Sequence, residues 1–373
     1  MSPELDLEGL PPPAKKALSP GAPPPLKLMA AKGVIPGAKP ADIVTVLTGL
    51  AGGVDAKVAE AARATLKDLP PPVLTGALSA DLQAPVIHAL CETRAHDHDS
   101  LGALLRMPRI ATETLEFLAE RADEKAGEII ATNERRLLEA PGVIERLYMN
   151  KHVRMSTADR LLELAVRNGV ELNIPAFKEA AEAIQTELIP EPSEEPTFDD
   201  VLFSETQEIS AQIALDEGED THELDEEGNE KVIEKVKPLW ARITQMTTSQ
   251  KIRTAALGKG EELLLLARDA NRLVAAAAVQ SPRMREREAI QISASRSVSD
   301  DVLRIIARNK EFTRSYQIKL NLVTNPRTPL TFASSLIPHL READLRQVAR
   351  SKNVTGAISR AAKQQMSRKA DRR

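Results

Sequence analysis

Leu322-Val323-Thr324-Asn325-Pro326-Arg327-Thr328-Pro329 is the stretch on which the reading of this chain turns. Leu322 and Val323 close an apolar helical face. Asn325 tolerates the left-handed backbone that often ends a helix. Pro326 lacks an N–H and cannot continue that helix. Thr328 is placed to cap a following helix, with Pro329 at its first position, where no N–H is needed. The phrase reads as helix, tight turn, helix.

Looser copies begin at Ala278, Ile292, Ile306 and Val348, at steps of 14, 14, 16 and 26 residues when Leu322 is included. Relatives begin at Leu104, Ile130, Leu147 and Leu164, at steps of 26, 17 and 17. Imperfect recurrence of a helix-turn unit indicates a stacked helical array. Composition agrees. Hydrophobic residues make up 42% of the 373, but aromatics only 2%, which suits helices packed through Leu, Ala, Ile and Val. Gly–Asn or Gly–Asp hairpin turns between alternating strands are not evident. The expected fold is all-α: two irregular helical-repeat arrays joined by a flexible acidic linker.

The domain boundaries follow composition. Residues 1–25 carry Pro11-Pro12-Pro13 and Pro23-Pro24-Pro25 and read as a disordered tail. Residues 26–190 read as a first array. Within it, Gly52-Gly53 ends one helix, Pro70-Pro71-Pro72 is a stop, Pro141 starts a helix, and Ser156-Thr157-Ala158-Asp159 has capping-box spacing. Residues 191–235 hold 17 acidic residues against two lysines and read as a mobile linker. Inside it, Phe198, Val201, Leu202 and Phe203 mark a candidate docking helix or a capping helix of the first array. Residues 236–373 read as a second array. Thr247-Thr248-Ser249-Gln250 gives it another capping box, and Ser299-Asp300-Asp301 a capped helix start.

Candidate chemistry is sparse. The one cysteine, Cys91, excludes an intrachain disulfide and reads as a buried small residue in a protein of a reducing compartment. His96-Asp97-His98-Asp99 has ligand-type side chains, but consecutive side chains diverge, so it reads as a solvated loop without a metal. Gly258-Lys259-Gly260 lacks the remainder of a P-loop and reads as a helix-ending turn. No catalytic residue, cofactor site or small-molecule substrate is expected. Met1–Asp6 lacks an apolar signal core, and no run approaches the ~20 apolar residues of a membrane span. The expected location is cytoplasmic.

The helix-turn-helix rhythm with alanine-rich contact faces resembles HEAT repeats, and the Asn325–Pro329 turn resembles those of leucine-rich-repeat variants. The segments Val302–Asn309, Leu322–Leu330 and Asp344–Val354 are similar to a bacterial family of α-solenoid proteins of uncharacterised function. The resemblance covers residues 236–365 well and 26–185 loosely. It implies a fold and no active site.

Charge is segregated. Residues 1–190 carry a net −5, 191–235 a net −15 and 236–373 a net +16. Helix ends account for Arg268, Arg308, Arg327 and Arg350. They do not account for Arg283, Arg285 and Arg287, nor for Arg360, Lys363, Arg368, Lys369, Arg372 and Arg373. Those nine are candidates for contact with a polyanion or an acidic partner. The expected function is a non-enzymatic protein-binding scaffold or regulatory adaptor. The alternative is contact with a nucleic-acid duplex backbone through the basic array, and a helical-repeat DNA glycosylase-like enzyme comes third. The acidic segment is expected to compete for the basic domain.

Overall fold

Apolar residues recur at three- and four-residue spacing along most of the chain, and such a segment buries its face only against a neighbour. In the computed structural model, which describes residues 5–189, 191–213, 215–216 and 219–370, these segments form 24 α-helices. One two-stranded hairpin accompanies them among the described residues. The chain divides into two units between Thr157 and Ala158.

The first unit runs α1 (Pro12–Leu18), α2 (Pro24–Ala31), α3 (Pro40–Ala51), α4 (Ala56–Lys67), α5 (Pro71–Leu78) and α6 (Ala84–Arg94). It continues through α7 (His98–Leu105), α8 (Thr112–Arg121), α9 (Glu124–Ala131), α10 (Glu134–Glu139) and α11 (Pro141–Tyr148). Neighbours pack in pairs and then every second helix packs again. One row is α3, α5, α7 and α9; the other is α4, α6, α8 and α11. Small residues allow the close approaches: a Cβ on Gly76 of α5 would sit 2.7 Å from the Pro40 ring of α3.

Proline begins helices here. It occupies the first or second position of α1, α2, α3, α5, α6 and α11, where its fixed φ is already helical and no donor is lost. Two of these helices begin where a disordered tail was expected. Pro12 starts α1, which buries Ala14 and Ala17 and packs on α2 and α3. The triplet Pro70-Pro71-Pro72 likewise opens α5.

α12 (Met155–Arg167) carries the chain across the division. Ser156 lies within its first turn, not at the cap position that its spacing suggested. The second unit continues with α13 (Phe177–Ile184), α14 (Phe198–Gln212), strands β1 (His222–Leu224) and β2 (Glu230–Val232), α15 (Lys237–Gln245) and α16 (Thr248–Leu257). Then come α17 (Gly260–Leu266), α18 (Arg272–Gln280), α19 (Glu286–Ala294), α20 (Asp300–Arg308) and α21 (Tyr316–Thr324). α22 (Leu330–Leu336), α23 (Glu342–Arg350) and α24 (Gly356–Ala370) end it. The two-row pattern returns: α16, α18 and α20 form one row, and α17, α19, α21 and α23 the other.

The caps at Thr247 and Ser299 form as read, with Gln250 N–H on Thr247 Oγ1 and Val302 N–H on Ser299 Oγ. Gly258 ends α16 and Gly260 begins α17. The opening phrase differs in detail. α21 ends at Thr324, but Asn325 has extended backbone (φ −77°, ψ 118°), and Pro329, not Thr328, precedes α22. The Asn325 side chain explains the turn. Its amide donates to Ser293 O and Ser295 O at 3.0 and 2.7 Å, and its oxygen accepts from Arg327 N–H. Asn150 does the same in the first unit, donating to Ala119 O and Ala122 O and accepting from His152 N–H.

The acidic stretch, expected to be a mobile linker, contains regular elements. Residues 198–212 are helical, and 222–232 form the hairpin, with His222 opposite Val232 and Leu224 opposite Glu230. Its turn is built by Asp225, whose carboxylate accepts from Glu227 N–H and Asn229 N–H, while Gly228 takes φ +83°. Among the described residues no helix is long and apolar enough to cross a membrane.

Candidate interaction surfaces

In the second unit the hairpin lies on helix ends of the basic array. Arg268, two residues past α17, has a side chain only 5% exposed. Its guanidinium donates to Asp220 at 2.7 Å, to Glu230 at 3.1 Å and to Leu264 O at 2.9 Å. The Glu230 carboxylate also accepts from the Ser295 and Ser297 hydroxyls and from Arg296 N–H, at 2.7 to 2.9 Å. Burial alone would push this carboxyl up. The Ser295 and Ser297 hydrogen bonds, the Arg268 charge and Arg296 N–H outweigh it and bring the pKa to about 2. His222 beside them is pushed down to about 4, by burial first and then by Arg268, against the opposing pull of Asp220 and Glu230. Backbone is recognised as well as charge. Arg287 donates to Asp216 O and Glu219 O, and Gln291 donates to Glu219 O at 2.9 Å.

The basic residues singled out in the sequence fall in two places. Arg283, Arg285 and Arg287 lie exposed at the entrance to α19. Arg360, Lys363, Arg368 and Lys369 lie on α24, which packs on α22 and α23. The first three of these are exposed, and Lys369 donates to Leu340 O at 2.9 Å. Arg372 and Arg373 lie outside the described residues.

The candidate docking helix is α14, and it packs on α15. Leu202 and Phe203 are buried, whereas Phe198 and Val201 are 69% and 45% exposed, so the apolar set is split between two faces. Phe203 lies under the fully buried Arg253, whose guanidinium is 4.9 Å from the ring centroid. Beside Arg253, Asp159 accepts from Ser249 Oγ at 3.1 Å. Burial pushes the Asp159 carboxyl up, Arg253 and Ser249 oppose it, and Glu187 and Asp199 add to it, giving about 8.

In the first unit α3, α4, α6 and α8 border an open groove of about 1080 Å³. Ala64, Ala84, Pro85 and Ala89 give it an apolar floor. Glu60, Arg63 and Lys67 of α4, Glu92 of α6 and Glu113 of α8 line it with charge of both signs. His88, within it, shares a hydrogen bond with Thr114 Oγ1 at 3.0 Å and lies 5.3 Å from the Phe117 ring. Cys91 is fully buried, and its thiol is pushed up to about 12 by burial, then by Glu92. The histidine motif is not the plain loop expected: Asp97 caps α7, His98 is its first residue, and both His96 and His98 contact Asp123. Among the described residues no three His, Cys, Asp or Glu side chains are grouped to hold a metal.

Sequence reading missed the hairpin, although Gly228-Asn229 after Asp225 is a turn signal. It also missed Arg268 and the Ser295-Arg296-Ser297 turn as an anion receptor, because those residues meet only through the fold. In sequence, a place at a helix end is enough to account for Arg268. No protein-family model, no curated protein and no solved structure matches the chain.

Proposed function

We propose that the protein is a non-enzymatic binding scaffold or adaptor, and that the helices of each unit form a HEAT-like solenoid array. The two-row packing and the asparagine contacts in each unit, each reaching about thirty residues back, support the architecture. The groove of the first unit carries the function. At about 1080 Å³ and open along its length, it exceeds the ~300–1,000 Å³ of small-molecule pockets. Its apolar lining and its charges of both signs, from Glu60, Arg63, Lys67, Glu92 and Glu113, suit one occupant. That occupant is an amphipathic helix of a partner protein with charges of both signs along its edges.

A photo-crosslinker at Lys67, in nuclease-treated native lysate, tests this. Defined protein adducts are expected, and Ala89→Trp, which fills the floor, should abolish them. Adducts that persist in the filled variant would overturn the reading. A second reading, duplex backbone contact, draws support from exposed Arg283, Arg285, Arg360, Lys363 and Arg368. It would take precedence if the chain bound duplex DNA with a steep salt dependence.

A further inference from the structure

We propose that Arg268, Arg287, Gln291 and the Ser295-Arg296-Ser297 turn form a receptor for an acidic, hairpin-forming peptide segment of a partner protein, and that residues 219–232, with Asp216, are its built-in competitor. The inference shares the binding role proposed above but is independent of the groove in the first unit.

The receptor is held in place without its occupant. Asn325 fixes the carbonyls of Ser293 and Ser295, and so sets the turn that presents the two hydroxyls and Arg296 N–H. Leu264 O holds the Arg268 guanidinium from behind. Asn325 and Leu264 O give these donors contacts that do not involve Glu230. With the hairpin displaced, the donors lose their carboxylate partners, and another acidic segment can take their place.

The occupant is held weakly by its own structure. Each strand has three residues, neither strand contains a buried one, and Leu224 is 70% exposed. A two-stranded hairpin of that size is marginal alone, so the polar contacts to the array hold it. Detaching it exposes little apolar surface.

The pattern of contacts selects the class of ligand. Two carboxylates, Asp220 and Glu230, share Arg268. Arg287 and Gln291 instead read main-chain carbonyls, at Asp216 and Glu219. A nucleic-acid backbone offers phosphate oxygens but no peptide carbonyl beside a carboxylate. An acidic turn or hairpin offers both, as Asp216, Glu219, Asp220 and Glu230 do here.

The test uses a fluorescein-labelled peptide of residues 219–235 as probe and the full chain as receptor, read by anisotropy. Three receptors are compared: the unaltered chain, a chain with 219–235 replaced by a Gly-Ser linker of equal length, and the double variant Asp220→Asn, Glu230→Gln. Removing the internal competitor raises the competent fraction, so both altered chains should bind the probe at least about tenfold more tightly. Adding Arg268→Ala to either should abolish the gain, and a scrambled probe should not show it. If the linker chain fails to fold by circular dichroism, the double variant decides. Equal affinity in unaltered and altered chains would overturn the proposal. So would equal gain for duplex DNA, which would mark a general polyanion surface, or a gain explained by dimers that exchange hairpins. Crosslinking from Lys67 tests the groove separately, so either reading can fail alone.

Discussion

Asn150 in the first unit and Asn325 in the second do the same work, each tying a turn to two carbonyls 28 to 32 residues earlier. Around them the interiors differ. The first unit buries hydroxyls that return to their own helix, as Thr45 does to Ala41 O and Thr48 to Val44 O. The second buries charge: Arg253 is fully enclosed, with Asp159 and Glu262 at 7% and 1% exposure. Burial also raises the Glu262 carboxyl to about 7, against its bond from Lys259 N–H. One packing rule therefore supports one interior that has little response to pH and another that responds strongly.

The largest effect that would expose this contrast is at Arg253. Arg253→Ala removes a fully buried side chain from beside Phe203 and Asp159, leaves a cavity there, and should cost about 2–5 kcal/mol in urea unfolding. A cost no greater than that of an exposed substitution would remove the claim that charge organises this core.

The shared device should be costly in both units. Asn150→Ala and Asn325→Ala each leave two carbonyls without their side-chain donor, for a loss of about 2–3 kcal/mol apiece. Loss in only one unit would break the equivalence of the two turns.

The pH responses sharpen the comparison. Asp159 is raised from 3.8 to about 8, so the folded state holds a proton that the unfolded chain has released. Its contribution is fully present below pH 3.8 and is lost as pH rises through about 8, with a slope of up to about 1.4 kcal/mol per pH unit. Asp159→Asn should flatten that slope in denaturation curves measured across this range.

The hairpin should respond in the opposite sense and more weakly. His222 and Glu230 are both depressed, to about 4 and about 2. Docking is supported at neutral pH and lost on acidification, first as pH falls from 6.5 through 4. Protection of the Glu223 and Lys231 amides, corrected for the intrinsic exchange rate, should fall there while protection in α18 holds. His222→Asn should shift that onset to lower pH, and an onset that does not move would exclude the histidine as its cause.

Much of the helical plan was legible because its signals are local. Thr247 with Gln250, Ser299 with Val302, Gly52-Gly53 and Pro141 act within four residues of one another. The candidate sites were legible only in part. Arg287 stands out for its charge, but its partners at Asp216 and Glu219 lie about seventy residues away. Arg253 looks like one more surface cation, because nothing adjacent shows that α12 and α14 supply Asp159 and Phe203. Proline triplets suggest extended chain because their composition suits it; what decides is whether the following residues find a face to cover, as Ala14 and Ala17 do.

The turn asparagines also act as rulers. An amide that must reach a fixed pair of carbonyls some thirty positions back tolerates no change in helical phase between them. One residue inserted into α10 or α11 would rotate Asn150 by roughly 100° about the helix axis and swing it away from Ala119 and Ala122. Length can vary in loops that absorb the extra residue, or by adding or losing a whole helix pair. Helices tied together in this way resist small insertions within them.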